Sequence, residues 1–220
     1  MNFVGEAMIR QVTSRNAAAN ETLLEEMFRA RKRLFKDRLN WDVTVDARGR
    51  EMDEYDRLDP LYVIAVDDDG HHQGSCRLLP TTGETMLRDH FTRLFDGVVI
   101  ESPLIWECTR FCVDSEAGTT LTPHGVQKHT TELFCGMVET GIEAGIQQVV
   151  GVFDRRMIRI YSRSGWSPEV VGQSGEGRDA IFLGIWDVDE PSVASIREAG
   201  GLVGPVLEKK MPRAQRSGAA

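Results

Sequence analysis

The sequence predicts an α/β (α+β) protein, a mixed twisted sheet flanked by helices. Apolar, β-branched runs of strand length alternate with amphipathic stretches of helix length. Two pairs of such runs are joined by short polar turns, as hairpins are. The 220 residues are 41% hydrophobic and 27% charged, an ordinary globular composition without repeats or low-complexity linkers. One domain over 1–204 is therefore expected, followed by a flexible tail, 205–220, rich in polar and small residues.

The first helix is expected over about 20–38, "ETLLEEMFRARKRLFKDRL", with Leu24, Met27, Phe28, Leu34 and Phe35 as its apolar stripe. A charged loop, 42–60, leads to strands at 61–67 and 73–79 around the turn "DDDGHHQG". A short helical region, 84–95, precedes the strand 105–113, "IWECTRFCV". A long helix is expected at about 123–145, then a strand at 148–153, a helix at 154–164, and a closing hairpin near 168–173 and 180–187.

Several function classes are disfavoured at once. The formal net charge of −8 argues against a nucleic-acid binder, which carries a basic footprint. Cys76, Cys108, Cys112 and Cys135 form no C-x-x-C pair, and the histidines lack a third ligand nearby, so no metal site is expected. No signal-peptide pattern or apolar run of spanning length is present, which predicts a cytoplasmic protein with free thiols and no membrane insertion.

Some charges do not fit their surroundings. Arg31 falls in the apolar stripe of the first helix, and Arg77 sits beside Leu78 and Leu79 in a strand. Asp53 and Asp56 lie close together in "EMDEYD". Glu107 and Arg110 share one strand, where strict alternation sends them to opposite faces. Three positive and three negative groups placed for burial suggest one balanced ion network. Either a bulge turns Glu107 and Arg110 to one side, or they serve different parts of that network.

With "RKRLFKDRLNW", "EMDEYD", "CRLLPTT", "WECTRF" and "RSGW" in this order, the chain resembles the acyl-homoserine-lactone synthases, the LuxI-type autoinducer synthases, over about residues 8–187. The family pattern falls on Arg31, Phe35, Trp41, Asp53, Asp56, Arg77, Glu107 and Arg110. The resemblance implies a fold similar to that of the N-acetyltransferases. It also implies a reaction without a cofactor, in which S-adenosyl-methionine is a substrate and an acylated acyl-carrier protein is the donor. The amine attacks the thioester, and the methionyl carboxylate then closes on its own γ-carbon and expels methylthioadenosine.

The residue chemistry is compatible with that reaction. Glu107 is the candidate base, directly or through a water, with Arg110 its catalytic companion. Asp53, Asp56, Phe35 and Trp41 suit a sulfonium and an ammonium. Arg31, Arg77 and Arg110 suit carboxylates. Met137, Val150, Val152 and Phe153 are expected to wall an acyl pocket. With no hydroxyl in that stretch of strand, chains lacking a 3-oxo group are favoured. Arg155, Arg156, Arg159 and Arg163 would form a basic surface for the acidic carrier, with Met157, Ile160 and Tyr161 facing the core.

Two other readings compete. One is an acetyl-coenzyme A-dependent N-acetyltransferase, although the loop "DSEAGTTLTPHG" lacks the glycine spacing that holds a pyrophosphate at a helix start. The other is a non-catalytic ligand-binding domain of the same fold.

Overall fold

A computed structural model describes residues 8–114 and 120–208. Residues 115–119 of the loop before the long helix, and 209–220 of the expected tail, lie outside the described residues. Among the described residues, seven strands form a single sheet in the order β1-β2-β3-β4-β5-β7-β6. They are β1 (Met8–Val12), β2 (Leu61–Val66), β3 (His72–Pro80), β4 (Ile105–Val113), β5 (Gln148–Asp154), β6 (Glu169–Ser174) and β7 (Ile181–Asp187). The helices are α1 (Glu21–Arg31), α2 (Lys128–Ala144), α3 (Arg155–Arg163) and α4 (Glu190–Gly200).

All neighbours in the sheet are antiparallel except β4 and β5. That parallel pair is matched only over Ile105–Glu107 and Gln148–Val150. Beyond it, β4 continues against β3 and β5 continues against β7. The sheet therefore splays at its centre, and the splay starts at Glu107.

The two faces of the sheet carry different cores. Val63, Ala65, Cys76 and Leu78 pack with Phe134 and Met137 of α2. Tyr62 and Ile64 pack on the other face with Leu23, Met27 and Phe28 of α1. The period-2 alternation of β2 and β3 separates these sets. α2 is buried on every side over Thr130–Gly141, because the sheet covers one flank and α4 another. Gly136 lets β1 approach: a Cβ there would lie 2.7 Å from Ile9 Cγ2.

Some expectations needed correction. β1 and α4 were not foreseen. The long helix starts at Lys128 rather than near 123, because Thr122–Val126 forms a turn with Gly125 at φ +73°. Residues 205–208, assigned to the tail, instead run beside β1. Ile9 N donates to Val206 O at 2.8 Å and Glu208 N donates to Ile9 O at 2.9 Å. The carboxylate of Glu139 accepts from Val206 N and Leu207 N, each at 3.1 Å. An open strand edge and a buried carboxylate thus satisfy the amides of this segment.

Candidate active site

β4 brings Glu107 and Arg110 to the same face by a bulge. Arg77 pairs with Thr109 and Ser75 with Cys112, so Cys76 stands opposite two residues, Arg110 and Phe111. Arg110 takes the left-handed conformation, φ 52°, which a non-glycine residue adopts at a cost. The extra residue cancels the alternation, and the Arg110 side chain joins those of Arg77, Glu107 and Thr109.

Around this point the charges close into a ring. Arg31 Nε donates to Glu51 at 2.5 Å, and its two Nη atoms bind Asp56 at 2.8 and 3.0 Å. Asp56 also accepts from Arg77 Nη1 at 2.9 Å. Arg77 holds Asp53 through both Nη atoms. Asp53 accepts from Arg110 Nη2 at 2.8 Å, and Arg110 returns to Glu51 at 3.1 Å. Three guanidiniums and three carboxylates alternate, and each bridges two of opposite sign. Such mutual pairing offsets the several kcal/mol that each buried ion costs.

Local structure holds the ring together. Asp53 and Asp56 form a capping box on the turn Glu54–Arg57: Tyr55 N donates to Asp53, and Asp53 N donates to Asp56. The Tyr62 hydroxyl donates to Asp56 at 2.8 Å. Burial alone raises the pKa of Asp56, but the hydrogen bonds and charges of Arg31 and Arg77 outweigh it and hold the carboxyl well below the usual range. The side chains of Arg31, Glu51, Asp56 and Arg77 are at most 1% exposed, whereas those of Asp53 and Arg110 are 11% and 9% exposed. The ring opens to solvent at that edge.

Phe35 and Trp41 border the opening. α1 continues as a π-helical segment, Lys32–Arg38, and the Phe35 and Trp41 rings stack at 5.0 Å and 19°. Phe35 is buried and lies under the Arg110 guanidinium, 5.5 Å away, while Trp41 is half exposed.

Glu107, expected as the third carboxylate of the ion network, lies outside the ring, and Glu51 takes that place. Glu107 is 2% exposed. Its oxygens accept from Met86 N at 3.0 Å and Leu87 N at 2.6 Å, at the start of the helical turn Leu87–Phe91. Burial raises its pKa, opposed by those two amides. The carboxylate anchors the segment that covers the site.

The four expected acyl-pocket residues do not share a wall. Val150 and Val152 belong to an apolar cluster with Leu87 and Phe95, on the Glu107 side of the sheet. Met137 and Phe153 lie in the core under α2, on the opposite face. Alternation along β5 divides them. The α3 arginines are all exposed but not equivalent. Arg155 lies 5.5 Å over the Phe182 ring, and Arg156 pairs with Asp154 at 2.5 Å. Tyr161 is buried as expected, and Met157 and Ile160 pack against the same core. Glu51 was missing from the sequence reading. As one acid among several in a charged loop, it gave no local signal of its place in the ring.

The sequence model of the autoinducer synthase family matches residues 15–196. An acyl-homoserine-lactone synthase from Rhizobium etli is 38% identical over 192 residues, 86% of this chain and 89% of that protein. The chain belongs to the autoinducer synthase family. Autoinducer synthases are acyltransferases that make acyl-homoserine lactones, the signals of quorum sensing. Among solved structures, the CoA-dependent acyl-homoserine lactone synthase MesI superposes with a TM-score of 0.80 at 26% identity, covering 92% of this chain and all of that one. An N-acetyltransferase fold from Lactobacillus plantarum superposes with a TM-score of 0.52 at 13% identity, over 83% of this chain and 99% of that one. The expected N-acetyltransferase-like architecture is therefore the architecture of this synthase.

Proposed function

We propose that this synthase acylates the amine of S-adenosyl-methionine from an acyl thioester and then closes the lactone. The amine nitrogen, once deprotonated, attacks the thioester carbonyl, and the donor thiol leaves. A carboxylate oxygen of the methionyl part next attacks its γ-carbon, the carbon–sulfur bond breaks, and methylthioadenosine departs. The observation that carries this reading is the opening of the ion ring at Asp53 and Arg110, with Arg110 over Phe35 of the Phe35–Trp41 stack and with Leu87 of the Val150 cluster held by Glu107, on the same strand as Arg110. The carboxylate of Asp53 suits the ammonium and sulfonium, the guanidinium of Arg110 suits the substrate carboxylate, and the aromatic pair offers a cation-binding face. The cluster of Val150, Val152, Leu87 and Phe95 offers apolar contact to an acyl chain and no side-chain hydroxyl to a 3-oxo group. Incubation with S-adenosyl-methionine and an acyl donor, read by mass spectrometry, is expected to yield acyl-homoserine lactone and methylthioadenosine only when both are present.

The donor is read as an acyl-carrier protein because the exposed face of α3 is basic in a chain of net charge −8. Acyl-coenzyme A is the second reading, favoured by the close superposition on the CoA-dependent MesI. Matched acyl groups on the two carriers, compared by kcat/KM, separate them. Protein modification from acetyl-coenzyme A without S-adenosyl-methionine would overturn both.

A further inference from the structure

The ion ring leaves two of its N–H groups on an unusual acceptor. Arg77 has five donors. They go to Thr109, to both oxygens of Asp53, to Asp56, and, from Nη2, to the sulfur of Met86 at 3.4 Å. Arg110 Nη1 donates to the same sulfur, also at 3.4 Å. A thioether is a weak, neutral acceptor, yet here it lies between two guanidiniums whose other partners are mainly carboxylate oxygens. Met86 is half-buried on the open side of the site. Its main-chain N is held by Glu107 at 3.0 Å, so the flexible side chain can swing aside while the backbone stays in place.

We propose that the Met86 thioether is a stand-in for the substrate carboxylate. It occupies N–H groups of Arg77 and Arg110 and gives them up to the carboxylate of an α-amino acid ligand. A carboxylate bridging the two guanidiniums replaces weak N–H···S bonds with charge-assisted ones. The ammonium of a zwitterionic ligand keeps the charge of the ring in balance. Met86 is thus a positioning residue that sets affinity for the carboxylate end of the ligand. The inference rests on the reading of S-adenosyl-methionine as the acceptor.

Isothermal titration calorimetry of wild type, Met86→Leu and Met86→Gln with S-adenosyl-methionine and its decarboxylated analogue tests this. Leucine keeps the volume but accepts nothing. Without the competing acceptor, M86L is expected to bind S-adenosyl-methionine roughly 3- to 10-fold tighter and the decarboxylated analogue unchanged. The amide oxygen of M86Q is a stronger acceptor in the same place, so this variant is expected to shift affinity for S-adenosyl-methionine the opposite way. Equal shifts for the two ligands, no shift, or weaker binding by both variants would overturn the stand-in role while leaving the substrate reading intact. A wild-type enzyme that binds neither compound would overturn the substrate reading itself, and the stand-in with it.

Discussion

Arg31 shows what a single misplaced charge in a sequence signifies. On the apolar stripe of α1 it has nowhere to snorkel, and its guanidinium is spent on Glu51 and Asp56. Arg31→Ala would leave those carboxylates with Arg110 and Arg77 alone, an excess negative charge in a buried ring. A loss of roughly 3–5 kcal/mol of stability is expected, read as a lower urea midpoint at unchanged slope. Glu107 makes a second case. Its two oxygens serve two amides, so Glu107→Gln turns an acceptor into a donor facing another donor. A loss of roughly 1–3 kcal/mol is expected, together with lower turnover, because Met86 and Leu87 would no longer be held over the site. A Gln variant with wild-type melting temperature but impaired turnover would point instead to Glu107 acting mainly on the proton of the substrate amine.

At the scale of elements, the arrangement depends on departures from regular geometry. The bulge at Arg110 and the π-helical continuation of α1 bring Arg110 against Phe35. The strand carrying Glu107 and Arg110 was legible residue by residue, because its composition admits little else. Its bulge was only one of two alternatives, since a bulge is fixed by pairing with β3 and not by the strand itself. α4 does carry boundary signals in its sequence: Asp189 at its N-cap, Pro191 in its first turn and Gly201 after its end. β1 is short and terminal, and its partners lie far away in sequence at β2 and residues 206–208. Glu51 could be recognised only through Arg31 and Arg110, likewise distant in sequence. The contact of α2 with β1 is equally non-local and gives a clean test. In Gly136→Ala the new methyl meets Ile9 at 2.7 Å, and a cost of roughly 1–3 kcal/mol is expected. A double variant Gly136→Ala/Ile9→Ala that loses clearly less than the sum of the two single variants' losses would assign that cost to the single contact, because alanine removes both Cγ atoms the new methyl meets.

Over the whole molecule, charge acts through two separate systems. The buried ring ties stability to pH. Asp56 has its carboxyl pKa depressed in the fold by Arg31 and Arg77 despite burial, so its contribution is fully present above the usual aspartate range and fades as pH falls toward the depressed value. Glu107, raised by burial, has the opposite sign: its contribution is present below the usual glutamate range and fades as pH rises through the raised value. Urea midpoints from neutral to acid pH are therefore expected to fall at the acid end, where Asp56 accepts its proton. The exposed arginines of α3 form the second system, the one that the proposed acyl-carrier donor would meet. An acidic carrier approaching a chain of net charge −8 is repelled at long range, so attraction has to be local. Arg155 is also engaged with Phe182 and Arg156 with Asp154, which makes Arg159 and Arg163 the cleaner pair to reverse. Arg159→Glu with Arg163→Glu is expected to raise KM for acyl-carrier protein at least tenfold, about 1.4 kcal/mol, and to leave KM for S-adenosyl-methionine unchanged. Added salt should weaken the wild-type carrier interaction in the same direction, because exposed charges are screened beyond about 8 Å at physiological ionic strength. Steady-state kinetics of the double variant against both substrates decides the point: equal effects on the two KM values would mean that α3 supports the fold of the site rather than the docking of the carrier.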